Sequence, residues 1–315
     1  MRVGVIFPGQ GSQTVGMGVD AARTSSAAAQ CFAAAKTLLG YDLLALCADG
    51  PEERLRETRY AQPAIFVANL AIAKGVGSAL EPVVSAGHSF GEYCSLTLAG
   101  ALTFETALAL VNERGLAMQR AATHAEGAMA AVLGLDPDAL RTAVATTVAR
   151  GAGRVQLANF NAPGQIVISG DAGAVRVAGE LAMEAGAKRV VPLNVSGAWH
   201  STLMDPARDE FAPHVAASTV MPPHFTVISN VDAQPYTSVA QIKTNLVRSV
   251  TDEVLWHDTA VAMVAMNLDL ILEFGASPVL APMFKRIEGA PKAITVSDAA
   301  GIERLQAQLD AAPVS

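Results

Sequence analysis

Short apolar runs and longer helical patterns alternate along the first hundred residues. Apolar residues fill 2–7 and end in a glycine-rich turn, and a second apolar run spans 83–86, so both stretches are predicted to be strands. Between them, 27–39 and 63–76 show helical patterns. The order strand, helices, strand is typical of α/β proteins with a parallel sheet.

A third helix is predicted over 102–122. Thr103 is suited to be its N-cap, and apolar side chains recur on one face at helical spacing, namely Phe104, Ala107, Leu108, Val111 and Met118. Arg114 falls at the margin of this apolar face, close in phase to Ala107.

From residue 128 the pattern changes to strand, helix, strand, strand, helix, strand. The predicted elements span 128–134, 137–150, 155–160, 165–169, 172–187 and 189–195. This order is the split βαβ pattern of ferredoxin-like domains. We therefore predict an α/β-hydrolase-like core with a mainly parallel sheet, formed by 1–127 and 195–315, and an inserted ferredoxin-like α+β subdomain over 128–194. Residues 270–274 are a further apolar run of the core.

Composition narrows the class of protein. Hydrophobic residues make up 51% and charged residues 16%, as expected of a compact globular chain without a membrane span. Residues 1–7 lack the features of a signal peptide, so we expect a cytoplasmic protein. The net charge of −7 without a basic block argues against nucleic acid as a partner. The three cysteines follow no metal-ligand spacing, so we expect buried packing residues and no metal.

Gly87-His88-Ser89-Phe90-Gly91 fits the pattern G-x-S-x-G. At a sharp strand-to-helix turn this pattern exposes a strained serine, and the flanking glycines let neighbouring segments pass closely. The pattern alone is weak, but here it follows a predicted strand and precedes a helical stretch. Ser89 is therefore a candidate nucleophile, and a plain strand–turn–helix is the alternative.

A serine nucleophile needs a base, and the chain has six histidines. His88 adjoins Ser89, but neighbouring side chains on a tight turn point in different directions, so an orienting or packing role fits it better. His200 follows a predicted strand, where loop residues commonly reach an active site. The position of Arg114 is compatible either with an arginine extending from the helix edge to solvent or with a semi-buried guanidinium that binds a carboxylate.

Together these stretches resemble the malonyl-CoA:acyl-carrier-protein transacylase family. The matching segments occur in family order over nearly the whole chain: FPGQGSQ (7–13), AQPA (61–64), GHSFGEY (87–93), Arg114 with Gly115, Met118-Gln119, AMAAVLG (128–134), NFNAPGQIVISG (159–170), VSGAWHS (195–201) with Leu203-Met204, and EFGASPVL (273–280) with Lys285-Arg286.

The resemblance implies a complete site. Ser89 would be the nucleophile and His200 its base, with a backbone carbonyl near Ser249 orienting the imidazole. The backbone N–H groups of Gln10 and Phe90 would form the oxyanion hole. Arg114 would bind the malonyl carboxylate, and the other expected substrate contacts are Gln62, His88, Trp199 and Asn159. Malonyl-CoA and an acyl-carrier protein would be the partners of a monomer without cofactor or metal.

Three positions depart from the family's usual residues. Phe90 stands where leucine is commoner, and Trp199 stands where phenylalanine is usual in malonyl-selective members. Ser249 replaces a glutamine, with Glu253 and Leu255 in place of a proline and an arginine. The larger Trp199 ring is expected to disfavour methylmalonyl.

Other functions remain compatible with the sequence. One is a stand-alone acyltransferase that serves a polyketide synthase, and another is a serine thioesterase or acyl hydrolase acting on acyl-carrier proteins. A non-enzymatic scaffold that docks a carrier protein is the third alternative.

Overall fold

The computed structural model describes residues 1–124 and 126–311. The strands are β1 (Val3–Phe7), β2 (Pro82–Gly87), β3 (Gly127–Leu133), β4 (Val155–Ala162), β5 (Gln165–Asp171), β6 (Arg189–Pro192), β7 (Thr226–Ile228), β8 (Leu270–Phe274) and β9 (Lys292–Val296). The helices are α1 (Val19–Thr24), α2 (Ser26–Leu39), α3 (Leu43–Asp49), α4 (Glu52–Arg56), α5 (Thr58–Gly75), α6 (Gly91–Leu98), α7 (Phe104–His124), α8 (Pro137–Ala149), α9 (Ala172–Glu184), α10 (Asp205–Ala217), α11 (Val239–Arg248), α12 (Trp256–Val264), α13 (Ala281–Phe284) and α14 (Ala299–Asp310). Short 3₁₀ turns span Gly77–Ala79 and Thr202–Met204.

The larger sheet has the strand order β7-β2-β1-β8-β9, and all its neighbouring strands are parallel. All five residues of β1 are buried, because both faces of the sheet are covered. Val5 and Phe7 belong to the cluster on one face, whereas Ile6 packs with Trp256 in the cluster on the other. The predicted α/β core with a mainly parallel sheet is confirmed.

The smaller sheet is antiparallel with the order β4-β5-β3-β6. Its strands and the helices α8 and α9 share a hydrophobic cluster of their own, which extends from Ala130 to Ala187 along the chain. The strand and helix order follows the ferredoxin-like pattern that the sequence predicts. The division of the chain at 128 and 194 stays a prediction.

A side-chain cap and a tertiary contact explain where α7 and α5 begin. Thr103 caps α7 as predicted, since its Oγ1 accepts a hydrogen bond from the Thr106 N–H at 3.1 Å. The predicted start of a helix at residue 63 is wrong, because α5 begins at Thr58 and Pro63 lies inside it. Tertiary contact stabilises this earlier start: the Thr58 N–H, which the helix itself cannot satisfy, donates to Gln119 Oε1 at 3.0 Å.

Among residues 1–124 and 126–311, no single helix is long and apolar enough to cross a membrane. Only α2 and α3 taken together have the required length and composition, and they are bent by 114° relative to each other. Cys31, Cys47 and Cys94 are free and buried, so the prediction of packing cysteines is confirmed.

Candidate active site

Ser89 lies on a sharp turn between β2 and α6. Its φ of 52° is in the left-handed region, which is strained for a serine. A Cβ at Gly87 would lie 2.0 Å from the Gly91 carbonyl carbon, and a Cβ at Gly91 would lie 2.3 Å from the Phe7 carbonyl oxygen. Only glycine fits at these two positions, as the G-x-S-x-G pattern predicts.

His200 contacts the Ser89 hydroxyl. Its Nε2 lies 2.8 Å from Ser89 Oγ, and its Nδ1 lies 3.1 Å from the Asp252 carbonyl oxygen. Because a carbonyl only accepts, Nδ1 carries the hydrogen and Nε2 is left to accept the hydroxyl proton. A carbonyl near Ser249 was expected to orient the imidazole, and that of Asp252 lies three residues further along the chain. The Ser249 carbonyl accepts from Arg114 Nη2 at 3.4 Å.

A glutamine that sequence reasoning missed supports the His200 loop. The side-chain amide of Gln156, on β4, donates to the carbonyls of His200 and Thr251, each at 3.3 Å. Its Oε1 accepts from the Thr202 N–H at 3.0 Å. One side chain of the small sheet thus joins the loop that carries His200 to the segment that carries Asp252.

His200 is buried close to a positive charge. Burial, together with the positive charge of Arg114, lowers the pKa of His200 to about 3. The imidazole is therefore neutral at physiological pH, which is the state in which it can accept a proton.

Arg114 is buried with 1% of its surface exposed, so the alternative of a side chain extending to solvent is excluded. Its Nη1 donates to Gln62 Oε1 at 3.0 Å, and its Nη2 lies 3.3 Å from Ser89 Oγ. Among the described residues its Nε has no acceptor. Arg114 is thus a buried cation beside the serine hydroxyl.

The neighbouring carboxyl group does not balance this cation. Glu92 accepts hydrogen bonds from Tyr236 and Asn230, and burial raises the pKa of Glu92 to about 8. A protonated Glu92 carries no charge near neutral pH. Within residues 1–124 and 126–311 no ion pair involves Arg114, and a buried unpaired cation is costly unless an anion binds to it.

Gln10 and Phe90 stand at the carboxyl ends of β1 and β2, where ligands bind in open α/β sheets. Both contribute to the lining of the cavity at Ser89. In the part of the chain that the structure describes, neither backbone N–H donates to a protein acceptor. Two free donors beside the serine fit an oxyanion hole.

The cavity at Ser89 has a volume of about 100 Å³ and lies between the two sheets. All nine predicted site residues line it: Gln10, Gln62, His88, Ser89, Phe90, Arg114, Asn159, Trp199 and His200. Sequence reasoning missed the apolar members of the lining, Met118, Met129, Leu193 and Val195. Met118 lies on the predicted apolar face of α7, a pattern that does not distinguish a cavity-lining residue from a core residue.

His88 and Asn159 connect the cavity to the small sheet. His88 Nε2 lies 2.9 Å from Asn161 Oδ1, away from Ser89, in agreement with an orienting or packing role. Burial lowers the pKa of His88, so its ring is neutral and donates to that amide oxygen. Asn159 of β4 forms an isolated β-bridge with Val254, which follows α11.

No group of His, Cys, Asp and Glu side chains within 1–124 and 126–311 is arranged to hold a metal ion.

Comparison with known proteins identifies the family. The model of the acyl transferase domain matches residues 5–307. The chain is 41% identical over 303 residues to the malonyl CoA-acyl carrier protein transacylase of Bacillus subtilis, which covers 96% of this chain and 95% of that protein. The chain belongs to the acyl transferase family. The resemblance inferred from the motifs is confirmed.

Solved structures of the acyl transferase family share the fold of this chain. An acyl carrier protein S-malonyltransferase from Vibrio cholerae superposes with a TM-score of 0.92 at 40% identity, over 97% of this chain and all of that one. A malonyl-transacylase in complex with its type II polyketide-synthase acyl-carrier protein superposes with a TM-score of 0.93 at 39% identity, over 98% of this chain and all of that one.

Proposed function

We propose that this acyl transferase moves a malonyl group from malonyl-CoA to the phosphopantetheine thiol of an acyl-carrier protein through an ester on Ser89. The observation that carries the proposal is the buried Arg114 cation 3.3 Å from a Ser89 hydroxyl that also contacts His200. A serine with a base gives acyl transfer, and the unbalanced cation beside it selects an acyl group with a carboxylate. Relatives named as malonyl transacylases support the same reaction.

The first half-reaction forms the ester. Ser89 Oγ attacks the thioester carbonyl while its proton passes to His200 Nε2, and the oxyanion is stabilised by the N–H groups of Gln10 and Phe90. Collapse of this intermediate breaks the carbon–sulfur bond, and the departing CoA sulfur takes the proton from His200. A thioester is more electrophilic than an amide and a thiolate leaves readily, so a carbonyl suffices as the third partner of the imidazole.

The second half-reaction runs the same steps in reverse with a new thiol. The phosphopantetheine thiol gives its proton to His200 and attacks the carbonyl of the Ser89 ester. Collapse of the intermediate breaks the bond to Ser89 Oγ, which takes the proton back from His200, and the malonyl thioester is released. Water must be excluded in the meantime. A Ser89 that is only 8% exposed in a cavity of about 100 Å³ favours this outcome. No group in this cycle requires a cofactor, and we place the enzyme in fatty-acid or polyketide synthesis.

Intact-protein mass after brief incubation with malonyl-CoA tests the proposal. We expect a malonyl adduct that discharges onto holo acyl-carrier protein. Accumulation of free malonate without an adduct would instead favour the thioesterase or acyl hydrolase. The set of carrier proteins that the adduct loads distinguishes service to a polyketide synthase from fatty-acid synthesis.

The pH dependence of acylation follows from the neutral His200. The parameter kcat/KM reports the free enzyme, and the base form of His200 exists at all pH values above its lowered pKa. We therefore expect kcat/KM for CoA release to stay flat from about pH 7 down to about pH 5, with no inflection near the ordinary histidine value of about 6.5. Initial rates in buffers of constant ionic strength measure this, and a fall centred near 6.5 would contradict the lowered pKa of the buried imidazole.

A further inference from the structure

The indole of Trp199 forms part of the wall of the Ser89 cavity. It is 5% exposed and follows Gly197 in the loop that leads to His200. A Cβ at Gly197 would lie 2.7 Å from Trp199 Cη2 and 2.8 Å from Cζ3, so the absence of that atom makes room for the six-membered ring. This contact is at the outer end of the six-membered ring, whereas Nε1 belongs to the five-membered ring.

The indole N–H lacks an acceptor. Within the described residues Trp199 Nε1 is fully buried without a hydrogen-bond partner, and the same holds for Arg114 Nε. A buried donor without a partner is destabilising, and such groups in native proteins call for an explanation. Both residues line the same cavity of about 100 Å³, so an acyl group that fills it comes close to both. Trp256 also has an unpaired Nε1, but its ring packs against His88 and Phe284 and does not line the cavity.

We propose that the Trp199 indole N–H donates a hydrogen bond to the carboxylate of the acyl group on Ser89, beside the guanidinium of Arg114. Trp199 is then a residue that selects dicarboxylic acyl groups, an inference that rests on the proposed function. A malonyl ester offers two kinds of acceptor. The ester carbonyl accepts hydrogen bonds from the N–H groups of Gln10 and Phe90. The carboxylate has about four acceptor sites, and one edge of a guanidinium donates to only some of them.

The two tryptophans allow a direct test by nuclear magnetic resonance. In protein labelled with ¹⁵N at the indole nitrogen, single Trp→Phe variants assign the two resonances to Trp199 and Trp256. We expect malonyl-CoA to move the Trp199 indole proton downfield while that of Trp256 stays near its position. Acetyl-CoA, which forms an ester without a carboxylate, is expected to leave both in place.

The outcomes separate the two proposals, because the adduct is quantified by mass in the same samples. A malonyl adduct without a Trp199 shift would overturn the inference and leave the proposed function standing. Equal shifts with malonyl and acetyl esters would also overturn it, since the donor would then serve the ester carbonyl. If no malonyl adduct forms, the proposed function fails and the inference with it.

Kinetics of Trp199→Phe give a second readout, because phenylalanine keeps an aromatic ring and removes the N–H. A hydrogen bond to a charged acceptor predicts that the ratio of kcat/KM for malonyl-CoA over acetyl-CoA falls about tenfold or more. If both substrates lose activity equally and the ratio is unchanged, Trp199 acts by packing alone and the proposal is overturned.

Discussion

Replacing Ser89 with alanine is expected to lower the rate of malonyl transfer by at least about 10⁴-fold, because it removes the proposed nucleophile on which the acyl group would pass between the two thiols. The intact-mass experiment should then show no adduct. Arg114 and the backbone N–H groups of Gln10 and Phe90 remain in the variant, so malonyl-CoA is still expected to bind. Transfer rate and adduct formation in the same preparation measure both parts of this prediction.

Ser169→Ala is the matched control. Ser169 is a fully buried serine of the small sheet, and its hydroxyl has no hydrogen-bond partner among the described residues. Its loss leaves no group unsatisfied, so adduct formation should be unchanged. An adduct that persists in Ser89→Ala would identify another nucleophile and would contradict the role assigned to Ser89.

Features of the fold and the site could be predicted from the sequence where local backbone geometry restricts the residue type. Gly87 and Gly91 flank Ser89 because any side chain there would collide with neighbouring backbone, and such a requirement is visible as a short motif. The split βαβ order of the small sheet was visible for a similar reason, since strand and helix periodicities differ. The position of His200 after a predicted strand made it a candidate base, but only the resemblance assigned it that role, because no short motif marks a histidine that reaches the serine from 111 residues away.

The supporting contacts could not be predicted in the same way. His200 is oriented by a carbonyl of Asp252, and every residue type has a carbonyl, so no sequence signal marks the partner. Gln156 reaches His200 across 44 residues of chain and Thr251 across 95. Asn230 joins the Ser89 carbonyl across 141 residues, at 3.5 Å. Such contacts depend on how segments distant in sequence pack against each other, which periodicity does not encode.

Arg114→Ala is expected to reduce kcat/KM for malonyl-CoA by roughly 10²- to 10³-fold, while acetyl transfer is spared or raised. Loss of one partner of a buried, hydrogen-bonded charge pair costs about 2–5 kcal/mol, and acetyl has no carboxylate to lose. A second reason concerns the base. The Arg114 charge lowers the pKa of His200, so its removal makes His200 a stronger proton acceptor for both substrates.

Arg120→Ala is the control, since Arg120 lies on the same helix but is half exposed and pairs with Glu210 at the surface. It should leave the ratio of malonyl to acetyl kcat/KM unchanged, because a surface ion pair contributes little. Equal losses for both substrates in Arg114→Ala would contradict carboxylate recognition. The pH profile of acetyl transfer by Arg114→Ala provides a further measurement. Without the Arg114 cation the pKa of His200 should rise, so acetyl transfer should begin to fall at a higher pH than in the unaltered enzyme.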